Sequence, residues 1–296
     1  MSLASEKHSA HFLEHVTRGL RGLLADGAAR RRFQLATPFP HIVADGLVPE
    51  ALLHEVEREF PDRPSTACRS MAMRGWKCTM HDKATRKLSL ADENRMGKAL
   101  QGVMRALKSD EFIAHVQNLT GIGPLRASPV NFGAGLHQIF PNGSLQVHAD
   151  DNHMHNRHPA NLVLNETTCP GCWERRVNLF LYLNRDWDAR WGGDLQLWNS
   201  DLTECGARLA PLHNRLVVFA STDYSFHGHP EPLGCPEGRT RRAIAIYYYT
   251  SGGAGARPLA ELNLTARGRR MSTLYRRRAC PSCALEKCRG SGMELV

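Results

Sequence analysis

No stretch of the 296-residue sequence approaches the roughly 20 consecutive apolar residues a membrane-spanning helix requires, so no membrane partner is expected. The first residues, Met1 to His8, lack the apolar core of a secretory signal, which points to a cytoplasmic protein. Neither an internal repeat nor a low-complexity segment appears, so the chain is not read as a repeat array. A surplus of acid is missing as well: 38 Lys and Arg outnumber 29 Asp and Glu, for a net charge of +9. The basic excess gathers at residues 30–32 and 267–278, near the two ends, and is read first as solvated tails. An anionic partner, nucleic acid included, is the second reading, and no motif supports it. Nine cysteines without a secretion signal suggest thiols or metal ligands rather than disulfides.

What is there is an ordinary globular composition, 42% hydrophobic and 23% charged, in a chain long enough for one elaborated domain or two small ones. The first third has helical grammar. Phe12, Val16, Leu20 and Leu24 recur every fourth residue until Asp26-Gly27 ends the pattern. A short strand is expected over residues 39–43. Pro49 then opens a helix carrying Leu52, Leu53, Val56 and Phe60, which Pro61 stops. Further helices are expected over residues 93–107 and 110–119, the second capped by Ser109.

After residues 120–124 the pattern changes to short strands and turns. Strands are expected over 130–139, through His148, and over 177–183, 195–198, 216–220 and 241–249. In the third of these, Val177, Leu179, Leu181 and Leu183 form an aliphatic face suited to pack on the N-terminal helices. Its other face, Asn178, Phe180 and Tyr182, is mixed and suited to line a pocket. Arg241, Ala243, Ala245 and Tyr247 share one side of the last strand, where alanines suit a wall beside which space must stay open. About eight short strands at this spacing indicate a sandwich or barrel of jelly-roll type.

The chemistry begins at Leu-Gln-Val-His-Ala-Asp, residues 145–150. On an extended strand His148 and Asp150 point the same way, and together they make two-thirds of a two-histidine, one-carboxylate facial triad. The third ligand must come from a neighbouring strand. His227, in Ser-Phe-His-Gly-His, is well placed, with His229 as its competitor. A buried cation is costly unless something anionic meets it, and Arg241 could hold a carboxylate bidentately. Arg239 and Arg242 are rivals for that role, and Tyr182 could add a hydroxyl donor to the same carboxylate.

Several segments in this order resemble a known family. They are His-Ala-Asp150, the run from Arg176 to Trp187, Gly-Gly-Asp-Leu-Gln-Leu-Trp198, Asn-Arg-Leu-Val-Val-Phe219, Ser-Phe-His-Gly228 and Arg-Arg-Ala-Ile-Ala-Ile-Tyr-Tyr-Tyr249. They are similar to the Fe(II)/2-oxoglutarate-dependent oxygenases of the prolyl 4-hydroxylase-like superfamily. The lead-in, residues 39–45 and the Leu-Thr-Gly121 turn, resembles it too. The resemblance implies an α+β fold: a double-stranded β-helix (jelly-roll) core with the N-terminal helices packed on one sheet. It places a helical support region at 1–124, the oxygenase core at 125–252 and a basic, Cys-containing extension at 253–296. It implies Fe(II) on His148, Asp150 and His227, and 2-oxoglutarate on Arg241 with Tyr182. The implied reaction consumes O₂ and releases succinate and CO₂ while hydroxylating a C–H bond of a peptidyl (prolyl-like) or small-molecule substrate. The competing reading is a catalytically silent jelly-roll scaffold that binds an anionic partner through the basic tail and a zinc knuckle.

Two features depart from the family pattern. A long insert carries Cys169-Pro-Gly-Cys172, and the tail carries Cys280-Pro-Ser-Cys283 and Cys288. Paired Cys-x-x-Cys units have zinc-ligand spacing, so a structural zinc shared by Cys169, Cys172, Cys280 and Cys283 is one expectation. A redox dithiol or unconnected thiols are the others. Cys68, Cys78, Cys205 and Cys235 show no such pairing.

Overall fold

The computed structural model describes residues 10–15, 17–19, 27–60, 77–78, 85–128, 131, 133–150, 152–154 and 173–251. The expected Val16–Leu20–Leu24 repeat and the Pro61 stop lie outside the described residues, as do residues 252–296.

Among the described residues, helical segments at 10–15 and 17–19 and four further helices support the sheets. Helix α1 spans Ala28–Leu35 and α2 Glu50–Arg58, with Pro49 at the N-cap and Leu52, Leu53 and Val56 buried. The stretch expected as one helix over 93–107 is broken. A 3₁₀ turn, Glu93–Arg95, comes first, and α3 follows at Lys98–Leu107. Local hydrogen bonding explains the break. Asp92 accepts from the Asn94 amide and closes the short turn. The Glu59 carboxylate then accepts from the amides of Ala99 and Leu100 at 3.0 and 2.8 Å. Two of the four orphan amides of α3, at the positive end of its dipole, are thereby satisfied by an anion from α2's C-terminal side. Helix α4, Asp110–Thr120, is capped as expected: the Ser109 hydroxyl accepts from Phe112 N, and Gly121 at φ 73° ends it.

The strands are β1 His41–Asp45, β2 Lys77–Cys78, β3 Lys87–Leu90, β4 Arg126–Ala127, β5 Gly135–Ile139, β6 Leu145–His148 and β7 His153–Met154. They continue with β8 Trp173–Tyr182, β9 Leu195–Trp198, β10 Cys205–Leu209, β11 Arg215–Ala220, β12 Phe226–His229 and β13 Arg241–Ser251. Among the described residues two antiparallel sheets result. The larger has the order β1-β11-β8-β13-β5-β3-β2, with β4 on β13 and β7 on β8; the smaller is β10-β9-β12-β6.

The two faces of the large sheet divide as the alternation of β8 and β13 requires. Val177, Leu179, Leu181, Ile244, Ile246 and Tyr248 pack into one core with Leu53, Val56, Leu100, Val103 and Phe112 of the helices. Tyr248 also donates its hydroxyl to Leu107 O at 2.8 Å, tying β13 to the end of α3. On the opposite face Tyr182, Val217, Phe219 and Ala243 meet Leu195 and Leu197 of the small sheet. The result is a jelly-roll sandwich with helices on one sheet, and the functional residues lie between its layers.

One irregularity matters for the site. Tyr248 pairs with Val177 but Tyr249 with Arg175, so β8 carries an extra residue, Arg176, at a bulge. Strict alternation would put Arg176 on the face of Asn178. The bulge puts Arg175 there instead.

Candidate active site

His148 ends β6, Asp150 follows two residues on, and His227 lies directly opposite His148 on β12. The imidazole Nε2 of His148 is 3.7 Å from Asp150 Oδ1, and that of His227 is 3.6 Å from Oδ2. The ring centroids are 4.7 Å apart, and the three ligand atoms lie within 4.8 Å of one another. Both rings are locked from behind. His148 Nδ1 bonds to Gln146 O at 2.8 Å and His227 Nδ1 to Ser225 O at 2.9 Å. A carbonyl can only accept, so each Nδ1 carries the proton and each Nε2 presents a lone pair to the common centre.

Asp150 is held by two side chains of β8. Asn178 donates to Oδ2 at 2.7 Å, and Arg175 lies 3.0 Å from the same oxygen. The guanidinium of Arg175 stacks 4.0 Å from the Tyr247 ring, which fixes its plane. Burial alone would push the Asp150 carboxyl up, but Arg175, then His227 and His148, hold it well below the usual carboxylate range. The His227 imidazole is pushed down to about 4, chiefly by burial. An ionised Asp150 oxygen and a neutral His227 imidazole therefore face one another beside His148, protonation states that suit a divalent metal. This two-nitrogen, one-oxygen donor set fits Fe(II).

Arg241, at the start of β13, is buried on the inner face. Its Nε donates to Gly193 O at 2.7 Å and its Nη2 to the Tyr182 hydroxyl at 3.1 Å. The pair is thus preassembled, with arginine and tyrosine in mutual contact. The two rival arginines lie elsewhere. Arg239 reaches Arg185 O and the Trp191 ring, and Arg242 bonds to Thr240 beside Phe60. His229, the rival third ligand, is not among the three groups that converge. Burial, then the charges of Arg241, Lys87 and His148, push its imidazole well down.

Some residues of the site were not anticipated from sequence. Arg175 was hidden by the bulge. Asn178 lies on the pocket face that the strand's alternation predicts, and its bond to Asp150 has no signal in the sequence. Lys87 lies on β3, a strand not expected at all. Lys87 and Arg241 both pair with Ile139, from opposite sides, so the three share one row and one face. Burial, then Arg241 and Lys77, bring the Lys87 ammonium down to about 8. Cys205 and Cys235 are free thiols, as expected. Cys169, Cys172, Cys280, Cys283 and Cys288 lie outside the described residues.

Comparison with known proteins agrees with this architecture. Residues 134–249 match the family model described as the 2OG-Fe(II) oxygenase superfamily. A non-haem α-ketoglutarate-dependent epimerase from nogalamycin biosynthesis is similar in structure at a TM-score of 0.50 and 14% identity, covering 84% of this chain and 94% of that one. A Pseudomonas putida prolyl-4-hydroxylase gives 0.46 and 16%, covering 74% and 97%. Streptomyces hygroscopicus HygX with nickel, 2-oxoglutarate and hygromycin B bound gives 0.43 and 12%, covering 72% and 83%. A search of curated proteins returns no match. The family match is carried by residues 134–249, the segment that holds His148, Asp150, His227, Tyr182 and Arg241. Among the described residues no helix is long and apolar enough to cross a membrane.

Proposed function

We propose that this chain is an Fe(II)/2-oxoglutarate oxygenase that binds Fe(II) through His148, Asp150 and His227, and 2-oxoglutarate through the Arg241–Tyr182 pair. Its reaction is the hydroxylation of a C–H bond in a peptidyl (prolyl-like) or small-molecule substrate, with release of succinate and CO₂. The observation that carries the reading is the convergence of two Nε2 lone pairs and one ionised oxygen within 4.8 Å. Iron and 2-oxoglutarate, when bound, supply the oxidative decarboxylation that activates O₂.

The chain's own residues set the conditions for that chemistry. Gln146 O and Ser225 O accept from Nδ1 and so fix the tautomer that aims each Nε2 inward. Arg175 and Asn178 keep the Asp150 carboxylate ionised and fix its plane. Arg241 offers guanidinium donors, and Tyr182 a hydroxyl, to the distal carboxylate of the cosubstrate. Phe180 stacks with Tyr182 and with Phe219, whose ring lies 4.9 Å from that of His227, so an apolar wall joins the two binding points and excludes water. On this reading residues 1–124 support a core at 125–252, and 253–296 form an extension. Fold does not choose the substrate.

The test is succinate formation from 2-oxoglutarate by protein loaded anaerobically with Fe(II) and then exposed to O₂. Turnover that requires both metal and oxygen is expected, slow without a second substrate and faster with the right one. Absence of succinate under all of these conditions would remove the proposal.

A further inference from the structure

We infer that His229 is a binding residue for 2-oxoglutarate, donating a ring N–H to the cosubstrate between the metal centre and Arg241. This rests on the function proposed above, and it gives a role to the histidine that competes with His227 in the sequence.

The argument is one of register. On β9 the partners run Phe226 with Trp198, His227 with Leu197 and Gly228 with Gln196. Leu197 and Leu195 are both buried in the interlayer cluster with Tyr182 and Ala243, so they mark the inner face. His227 shares that face. Continuing the same antiparallel register by one pair brings His229 beside Leu195, also facing in. The bulge between His227 and His229 lies on the β6 side, where His229 pairs with Leu145, and leaves the β9 register intact.

Direction follows from the same pairs. Moving along β12 from His227 to His229 is moving back along β9 from Leu197 to Leu195, towards Gly193. The Gly193 carbonyl is the one that Arg241 Nε binds. His229 therefore sits on the line from the triad to the arginine. Two residues of strand span roughly 6–7 Å, comparable with the length of a short dicarboxylate. The register thus places this ring on the inner face between the triad and the Gly193 carbonyl that holds Arg241.

The ring is also chemically prepared. His229 is 2% exposed. Among the described residues neither its Nδ1 nor its Nε2 has a hydrogen-bond partner. His148 and His227, by contrast, each have Nδ1 fixed to a carbonyl. A buried imidazole with both nitrogens unpartnered is costly, and a carboxylate or keto oxygen beside it supplies the missing acceptor.

The experiment is a calorimetric titration of 2-oxoglutarate into anaerobic Fe(II)-loaded protein, with iron affinity measured alongside. His229→Leu should weaken 2-oxoglutarate binding by about tenfold while iron affinity stays within about twofold of wild type. His229→Gln, which restores an N–H donor of similar reach, should recover most of the loss. Unchanged 2-oxoglutarate affinity in the leucine variant overturns the inference and leaves the triad untouched. Equal weakening by Leu and Gln also overturns it, because packing rather than donation would then be at work. Loss of iron in His229→Leu with retention in His227→Ala overturns the triad assignment itself. If His229→Leu does not fold, the glutamine variant and His229→Asn decide: tight binding by the first and weak binding by the shorter second are expected, and tight binding by both is contrary.

Discussion

The two oxygens of Asp150 do different work. Arg175 and Asn178 both engage Oδ2, while Oδ1 faces His148 Nε2. Oδ2 also lies 3.6 Å from His227 Nε2, so both oxygens border the common centre. At the other end of the site, Arg241 is held through Nε by Gly193 O. Removing its guanidinium should therefore cost the cosubstrate its main charged contact without disturbing the triad. Arg241→Ala is expected to raise the 2-oxoglutarate requirement by roughly 30- to 1,000-fold, the equivalent of about 2–4 kcal/mol. Titrating the variant with 2-oxoglutarate checks this, and a requirement within a few-fold of wild type would return the role to another group. The convergence of His148, Asp150 and His227 and the inner-face position of Arg241 are readable in sequence because each stands at a fixed spacing on a strand with strong alternation. Arg175 was not, because the bulge at Arg176 reverses parity and no local signal in Glu-Arg-Arg-Val marks it.

Among the elements, β8 links the helical core to the site. Leu179 is fully buried among the helices, while its neighbours Asn178 and Phe180 face the small sheet. Leu179→Ala should destabilise the protein by about 2–5 kcal/mol, the usual cost of a buried leucine cavity. At low temperature it should leave the 2-oxoglutarate requirement near wild type, because the substitution lies on the far face. Denaturant unfolding together with turnover at 10–15 °C, roughly where folded domains are most stable, separates the two effects. A large change in that requirement, or no loss of stability, would contradict this division of faces. The alternation of β8 and β13 made the division legible in sequence. The split of residues 93–107 was not, because the cap comes from Glu59, some 40 residues away in the chain. Strand β3 was missed for a related reason: Lys-Leu-Ser-Leu is too short to declare a period, and it forms by pairing with β5.

For the molecule as a whole, the interior carries imidazoles that stay neutral. The His227 pKa falls from 6.5 to about 4 in the folded chain, and those of His137 and His229 fall well below 6.5, in each case chiefly through burial. The unfolded chain takes up protons on these rings below about pH 6.5, whereas folded His227 does so only near pH 4. Protonation in that window therefore favours unfolding, and stability falls as pH drops from 6.5 towards 4. For His227 alone the loss is roughly 2 kcal/mol by pH 5. The metal-free protein should thus melt at a lower temperature at pH 5 than at pH 7, and an unchanged or higher melting temperature would contradict the burial of these groups. Iron binding should weaken over the same range, since protonated rings cannot ligate.

The most direct measurement of the central claim is iron stoichiometry and affinity, determined anaerobically for the wild type and for His148→Ala, Asp150→Ala and His227→Ala. One tightly bound Fe(II) per chain is predicted for the wild type, and loss of that site is predicted in each variant while the fold is retained. A variant that binds one iron as tightly as the wild type would show that the replaced residue is not a ligand.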